Sequence, residues 1–151
     1  RSVSSAASDV YKRQGSIPYD LYTELILPFS KKILNSAKKL NCPTIFFPKD
    51  YSLGLKNIND SICDFVSIDW HISLPEARKL VDNGVGLQGN MDPRIFYYEF
   101  DTIKKYLNSL NEFGSKNSNW IFNLGHGFLP DIDHLKVKKT VQWIKKNNWN
   151  R

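Results

Sequence analysis

Four short apolar runs, each closed by polar or glycine-rich residues, constrain this chain more than any other feature of its sequence. They are Thr44-Ile45-Phe46-Phe47, Phe65-Val66-Ser67-Ile68, Val85-Gly86-Leu87 and Trp120-Ile121-Phe122. Between them the apolar residues recur at three- and four-residue steps, the period of a helix with one buried face. Short continuous apolar runs suit strands buried on both faces, and such strands belong to parallel sheets covered by helices. Strict alternation in the order α-β-α-β-α-β-α-β-α predicts crossover connections and a single parallel sheet. The expected fold class is therefore α/β, about four parallel strands with covering helices, about half of a (β/α)8 barrel or part of an open doubly wound sheet.

The helical stretches carry their own start and stop signals. Ser16 is a capping residue and Pro18 fits a first turn. Tyr22, Leu25, Ile26, Phe29, Ile33, Ala37 and Leu40 then form one apolar face, which Pro28 is expected to kink or split. Leu55, Ile58 and Ile62 mark a short helix within 51–62. Ser73 and Glu76 stand three apart as a capping box, ahead of Ala77, Leu80 and Val81, with a stop near Asn83-Gly84. Asp101 is read as the cap of a helix with Ile103, Leu107 and Leu110 inward and Gly114 at its end. Asp133 caps a last helix with Val137, Val141 and Ile144 inward. All these stripes are expected to be core. Residues 1–14 have small polar composition and no sustained period. They are read as a disordered leader foreign to the fold, leaving 15–151 as the C-terminal part of a barrel.

Composition narrows the setting. A hydrophobic content of 41%, with 13% aromatic residues, is enough for a packed core. No apolar run approaches the roughly 20 residues of a membrane span, so no membrane partner is expected. Without a secretory signal pattern, the expected compartment is the cytoplasm. Cys42 and Cys63 lack Cys-x-x-Cys spacing and are expected to be buried free thiols. The net charge is +6, and lysine pairs such as Lys104-Lys105 and Lys138-Lys139 read as solvated helix faces whose field attracts anions. Basic and aromatic residues do not interleave, so a nucleic-acid partner is not expected.

Chemistry is expected where the strands end: Lys49-Asp50, Asp69, Gln88-Asn90-Asp92, and Asn123-His126. C-terminal strand ends carry the sites of both barrels and doubly wound sheets. The stretch 119–130 is the most pointed of these, an apolar run opening into Gly125-His126-Gly127. Its glycines permit a positive φ or a close backbone approach, so that the turn presents His126. That histidine suits acid–base work near neutral pH, with an unperturbed pKa of about 6.5. It equally suits a structural hydrogen bond to a neighbouring carbonyl. Asp69 either binds ligand or braces the mouth by accepting backbone N–H bonds, and Gln88, Asn90 and Asp92 divide the same way. The chain has no dinucleotide or Walker loop and no Gly-x-Ser-x-Gly elbow, so nucleotide cofactors and that class of hydrolase are not implied. His71 and His126 are not at zinc-ligand spacing from either cysteine, and metal binding is not expected. His134 is expected to face solvent.

At these residues a resemblance becomes specific. Leu87-Gln88-Gly89-Asn90-Met91-Asp92-Pro93 resembles the Leu-Gln-Gly-Asn-Leu-Asp-Pro element of the uroporphyrinogen decarboxylase family. Asn123-Leu124-Gly125-His126-Gly127, followed by Pro130, is similar to that family's Asn-Leu-Gly-His-Gly motif. Ile68-Asp69-Trp70 and Leu27-Pro28-Phe29 resemble its Asp-Trp strand end and its Leu-Pro-Tyr helix. The resemblance runs in order from about Gly15 to the C-terminus. It implies a (β/α)8 barrel, a homodimer with facing clefts, and cofactor-free removal of the four acetate carboxyl groups of uroporphyrinogen III, giving coproporphyrinogen III on the way to haem. It also implies that His126 contacts a substrate carboxylate and assists proton transfer, with Asp69, Gln88 and Asn90 as further substrate-binding candidates. The family's ring-binding aspartate, its N-terminal arginines and a serine-bearing segment find no counterpart here, and Ser16 does not replace that serine. The chain by itself is accordingly expected to be inactive. The alternatives are a corrinoid–thiol methyltransferase of the same barrel superfamily, against which the absence of cysteines at the strand ends counts, and a non-catalytic half-barrel binding module.

Overall fold

The structure, a computed structural model, describes residues 17–147. The leader assigned to 1–14 and the cap assigned to Ser16 lie outside the described residues. Four parallel strands form one sheet in the order β1-β2-β3-β4: β1 (Ile45–Phe46), β2 (Phe65–Ser67), β3 (Gly86–Met91) and β4 (Trp120–Leu124). Val66 sits beside Leu87, and Leu87 beside Trp120, so the apolar runs are in register across the sheet. Helices α1 (Tyr19–Leu21) and α2 (Leu27–Lys38) precede β1, α3 (Leu74–Leu80) and α4 (Phe100–Lys116) lie between later strands, and α5 (His134–Lys146) follows β4. This is the strand–helix alternation expected of half a (β/α)8 barrel. No helix among the described residues is long and apolar enough to cross a membrane.

Local chemistry accounts for the helix ends. Pro28 falls in the first turn of α2, and the chain reaches it from α1 through a π-helical stretch, Tyr22–Ile26, which splits the long helix as expected. Proline has no N–H to donate, so a wider turn at this point loses less than a regular helix would. The Ser73–Glu76 capping box is formed in both directions. That helix stops at Leu80, earlier than the Asn83-Gly84 signal. The Arg78 guanidinium then donates to the carbonyls of Val81 (2.8 Å), Asp82 and Val85 (2.7 Å), gathering the loop before β3. Asp133 accepts the Leu135 N–H as the cap of α5. Asp101 lies inside the first turn of α4, whose cap is Glu99, and the helix runs past Gly114 to Lys116. Leu55, Ile58 and Ile62 are buried as expected, on a 3-10 turn (Ser52–Asn57) and the loop after it.

Burial corrects several expectations. Among the described residues only β2 and β3 are enclosed on both faces; β1 and β4 are the edges, and Ile45 and Ile121 stay exposed. The apolar face of the first helix is not uniformly core. Tyr22 and Leu27 are buried, whereas Leu25, Phe29, Ile33 and Leu40 are 55–74% exposed. On α5 the buried position is Thr140, and Val141 is exposed. The core divides into one cluster around Tyr22, Ile58, Ile62, Val66, Leu74 and Leu87, and another around Met91, Phe96, Ile103 and Leu107. Cys63 is buried in the first, and burial pushes its thiol up to about 12. Cys42 is exposed, contrary to expectation.

The edge strand β1 is fastened at both of its flanks. Before it, the Thr44 N–H and hydroxyl donate to Asp64 at 2.7 and 2.8 Å. Beyond it, the Asp50 N–H donates to Asp69 at 2.7 Å.

Candidate active site

Because all four strands run in one direction, their C-terminal ends share one edge of the sheet. Asp50, Asp69, Asn90 and His126 come together there from four different strands. Strand β3 reaches further into this edge than expected. It continues through Gln88-Gly89-Asn90 to Met91, so these polar residues are strand positions and not a strand-ending turn.

Asp69 is 4% exposed and its carboxylate is fully engaged. One oxygen accepts the Asp50 N–H, and the other accepts the His71 N–H at 2.9 Å and lies 3.1 Å from His71 Nδ1. Asn90, 6% exposed, donates both amide protons, to the carbonyls of Asp69 (2.9 Å) and Ile72 (2.6 Å). Buried polar groups need such partners. Asp69 and Asn90 thus tie β1, β2 and β3 together at this edge of the sheet. Gln88 is half-buried, with its amide 3.4 Å from Ser67 Oγ. The Gly89–Asn90 peptide is cis. Gly89 has φ +132°, and a Cβ there would stand 2.6 Å from the Ile68 carbonyl oxygen, so glycine is required.

His126 follows β4 in a bend and is half-buried. Its ring meets the Trp70 indole edge-on, centroids 5.7 Å apart, and Nδ1 lies 3.4 Å from the Gly127 carbonyl. The two flanking glycines differ. A Cβ on Gly125 would lie 2.8 Å from the Trp70 nitrogen and 3.1 Å from the Asn90 carbonyl oxygen, so close approach to β2 and β3 demands glycine. A Cβ on Gly127 would meet nothing within 4 Å.

Three mouth residues were not paired by sequence reasoning. Trp70 carries Arg94 over its face, Cζ 5.5 Å from the ring. Arg94 grips Asp92 with Nε and Nη2 at 2.6–3.0 Å, and this hydrogen bonding holds the Asp92 carboxyl below the usual carboxylate range. His71 stands between Asp69 and Asp50, with Nδ1 3.2 Å from the latter. The available signal was positional: each follows a strand end by three or four residues. Asp50, Asp69 and His71 offer ligand-type atoms within 4.8 Å of one another. Within the group, His71 Nδ1 faces both carboxylates, at 3.1 Å from Asp69 and 3.2 Å from Asp50. His134 is solvent-facing, as expected, with its side chain 88% exposed.

Comparison with known proteins adds sequence relationship to this geometry. A family model described as "Uroporphyrinogen decarboxylase (URO-D)" matches residues 6–147. The uroporphyrinogen decarboxylase of Francisella philomiragia subsp. philomiragia is 37% identical over 135 residues, which are 87% of this chain and 39% of that protein. That of Chlorobium luteolum is 38% identical over 134 residues, 85% of this chain and 38% of its own length. The chain therefore spans about two-fifths of the length of the curated relatives it matches.

Proposed function

The chain belongs to the uroporphyrinogen decarboxylase family, and from that premise we propose that the complete protein decarboxylates uroporphyrinogen, converting acetate side chains to methyl groups. The observation that carries this reading is the convergence of His126 with the braced ends of β2 and β3 on one sheet edge, inside a family match that covers all of them. His126 is then the group that meets a substrate carboxylate. Trp70, beside it, offers an apolar plate for a pyrrole ring, with Arg94 above it as a cation for a second carboxylate. Asp69 and Asn90 hold the frame, and Gln88 lines it. A cytoplasmic homodimer completes the proposal.

A zinc-dependent methyltransferase of the same superfamily fits less well. Cys42 and Cys63 precede β1 and β2, at the edge of the sheet opposite the mouth, so neither thiol stands with His126 to form a zinc donor set. The test is conversion of uroporphyrinogen to coproporphyrinogen, followed by chromatography of the oxidised porphyrins. His126→Ala is expected to lower turnover about 10- to 100-fold, with the fold retained. Unchanged kinetics in that variant would assign His126 a structural role. Absence of turnover by the unmodified complete protein would remove the decarboxylase reading.

A further inference from the structure

The Trp70 indole stands beside two imidazoles. His126 meets it edge-on, and His71 meets it at 5.4 Å between centroids, tilted by 37°. Of the two, His71 is far better anchored. Its Nδ1 faces the Asp69 and Asp50 carboxylates at 3.1 and 3.2 Å, and its backbone N–H donates to the same Asp69 oxygen at 2.9 Å. Apart from the Trp70 ring, His126 among the described residues has a 3.4 Å approach to the carbonyl of its own neighbour. Asp69 cannot swing away, being 4% exposed with its other oxygen on the Asp50 N–H. An ionised carboxylate can only accept. Nδ1 is therefore the nitrogen that donates to the carboxylates, which leaves Nε2 as the ring nitrogen with no carboxylate against it. The side chain is 53% exposed, which leaves the remainder of the ring open to solvent.

We propose that His71 is an acid–base residue of this site, with Asp50 and Asp69 as its positioning residues. The proposal rests on the decarboxylase reading. Each acetate lost consumes one proton: the bond from the methylene carbon to the carboxylate breaks, carbon dioxide leaves, the electron pair remains with the substrate carbon framework, and a new C–H bond completes the methyl group. The His71 imidazolium supplies that proton from Nε2, becomes the neutral Nδ1–H tautomer, and recovers a proton from water at the open mouth. The charged and titratable groups around it are Asp50 after β1, Asp69 at the end of β2, Asp92 and Arg94 after β3, and His126 across the indole.

The experiment uses the complete protein. His71→Gln is expected to lower kcat about 100-fold with KM little changed, and to delete one ionisation from the kcat–pH profile. Asp50→Asn, which removes one negative neighbour, is expected to move that ionisation to lower pH. Nitrogen-15 spectra of the imidazole are expected to show the Nδ1–H tautomer with Nε2 titrating. A folded His71→Gln variant with near-normal kcat, an unchanged pH profile in Asp50→Asn, or an Nε2–H tautomer would each overturn the proposal. Should His71→Gln fail to fold, the Asp50→Asn profile and the spectra decide alone. Failure of the unmodified protein to turn over uroporphyrinogen removes the decarboxylase reading and this proposal with it. Failure confined to the variants removes the role of His71 only.

Discussion

Replacing Gly125 with alanine puts a methyl group 2.8 Å from the Trp70 nitrogen and 3.1 Å from the Asn90 carbonyl oxygen, backbone atoms that cannot rotate aside. Gly125→Ala is expected to cost about 2–3 kcal/mol in urea unfolding and to pull His126 off Trp70, whereas Gly127→Ala, with open space around it, is expected to stay within about 0.5 kcal/mol. Equal losses would contradict the geometry. Sequence alone could not separate these two residues, because the distinction lies in what β2 and β3 bring to one of them. Asp64 illustrates a charge effect at the same scale. Its carboxyl is held below the ordinary value of 3.8, chiefly by the Thr44 N–H and then by the Thr44 hydroxyl. A depressed folded-state value stabilises the fold above the ordinary value, and that contribution fades as pH falls through the folded value. Asp64→Asn is therefore expected to flatten the acid limb of stability below about pH 3.8. With the side chain 41% exposed, solvent keeps the effect under about 1 kcal/mol. An acid limb identical to wild type would assign the pH response elsewhere.

Among the elements, the start of α3 was readable in advance and the extent of β3 was not. The Ser73–Glu76 box is local: partners three residues apart satisfy the first turn whatever the rest of the chain does. Ser73→Ala is accordingly expected to cost about 1 kcal/mol, measured as a shift in denaturation midpoint. No shift would mean that tertiary packing alone sets the start of α3. Gln88-Gly89-Asn90 carries the composition of a turn, yet it stays in the strand because β4 pairs with it from Gln88 to Met91. Asn90 also finds its partners on the loop after β2, far away in sequence. Non-local satisfaction of this kind leaves no local signature. Helix α4 likewise departs from its local signal, passing through Gly114 although a glycine there reads as a stop.

For the molecule as a whole, alternation of periods was enough to predict four parallel strands and the edge at which their polar C-terminal ends gather. It did not predict which apolar faces lie open, because that depends on what surrounds each element. Leu25, Phe29 and Ile33 recur at four-residue steps and are exposed, and β1 and β4 are sheet edges among the described residues. Exposed apolar stripes and unpaired strand edges favour association. The 151-residue chain is expected to self-associate with rising concentration in sedimentation experiments, and the double change Phe29→Lys with Ile33→Lys to weaken that association. Monomeric behaviour over the whole range would show the stripe to be inert. One further consequence follows from the paired fastenings of β1 by Asp64 and Asp69. A two-residue edge strand ordinarily frays from its tips, one ladder bond at a time. With a carboxylate clasp beyond each tip, partial fraying releases nothing until a clasp opens, so β1 parts from the sheet as a single cooperative unit, like a hinge pin held at both ends.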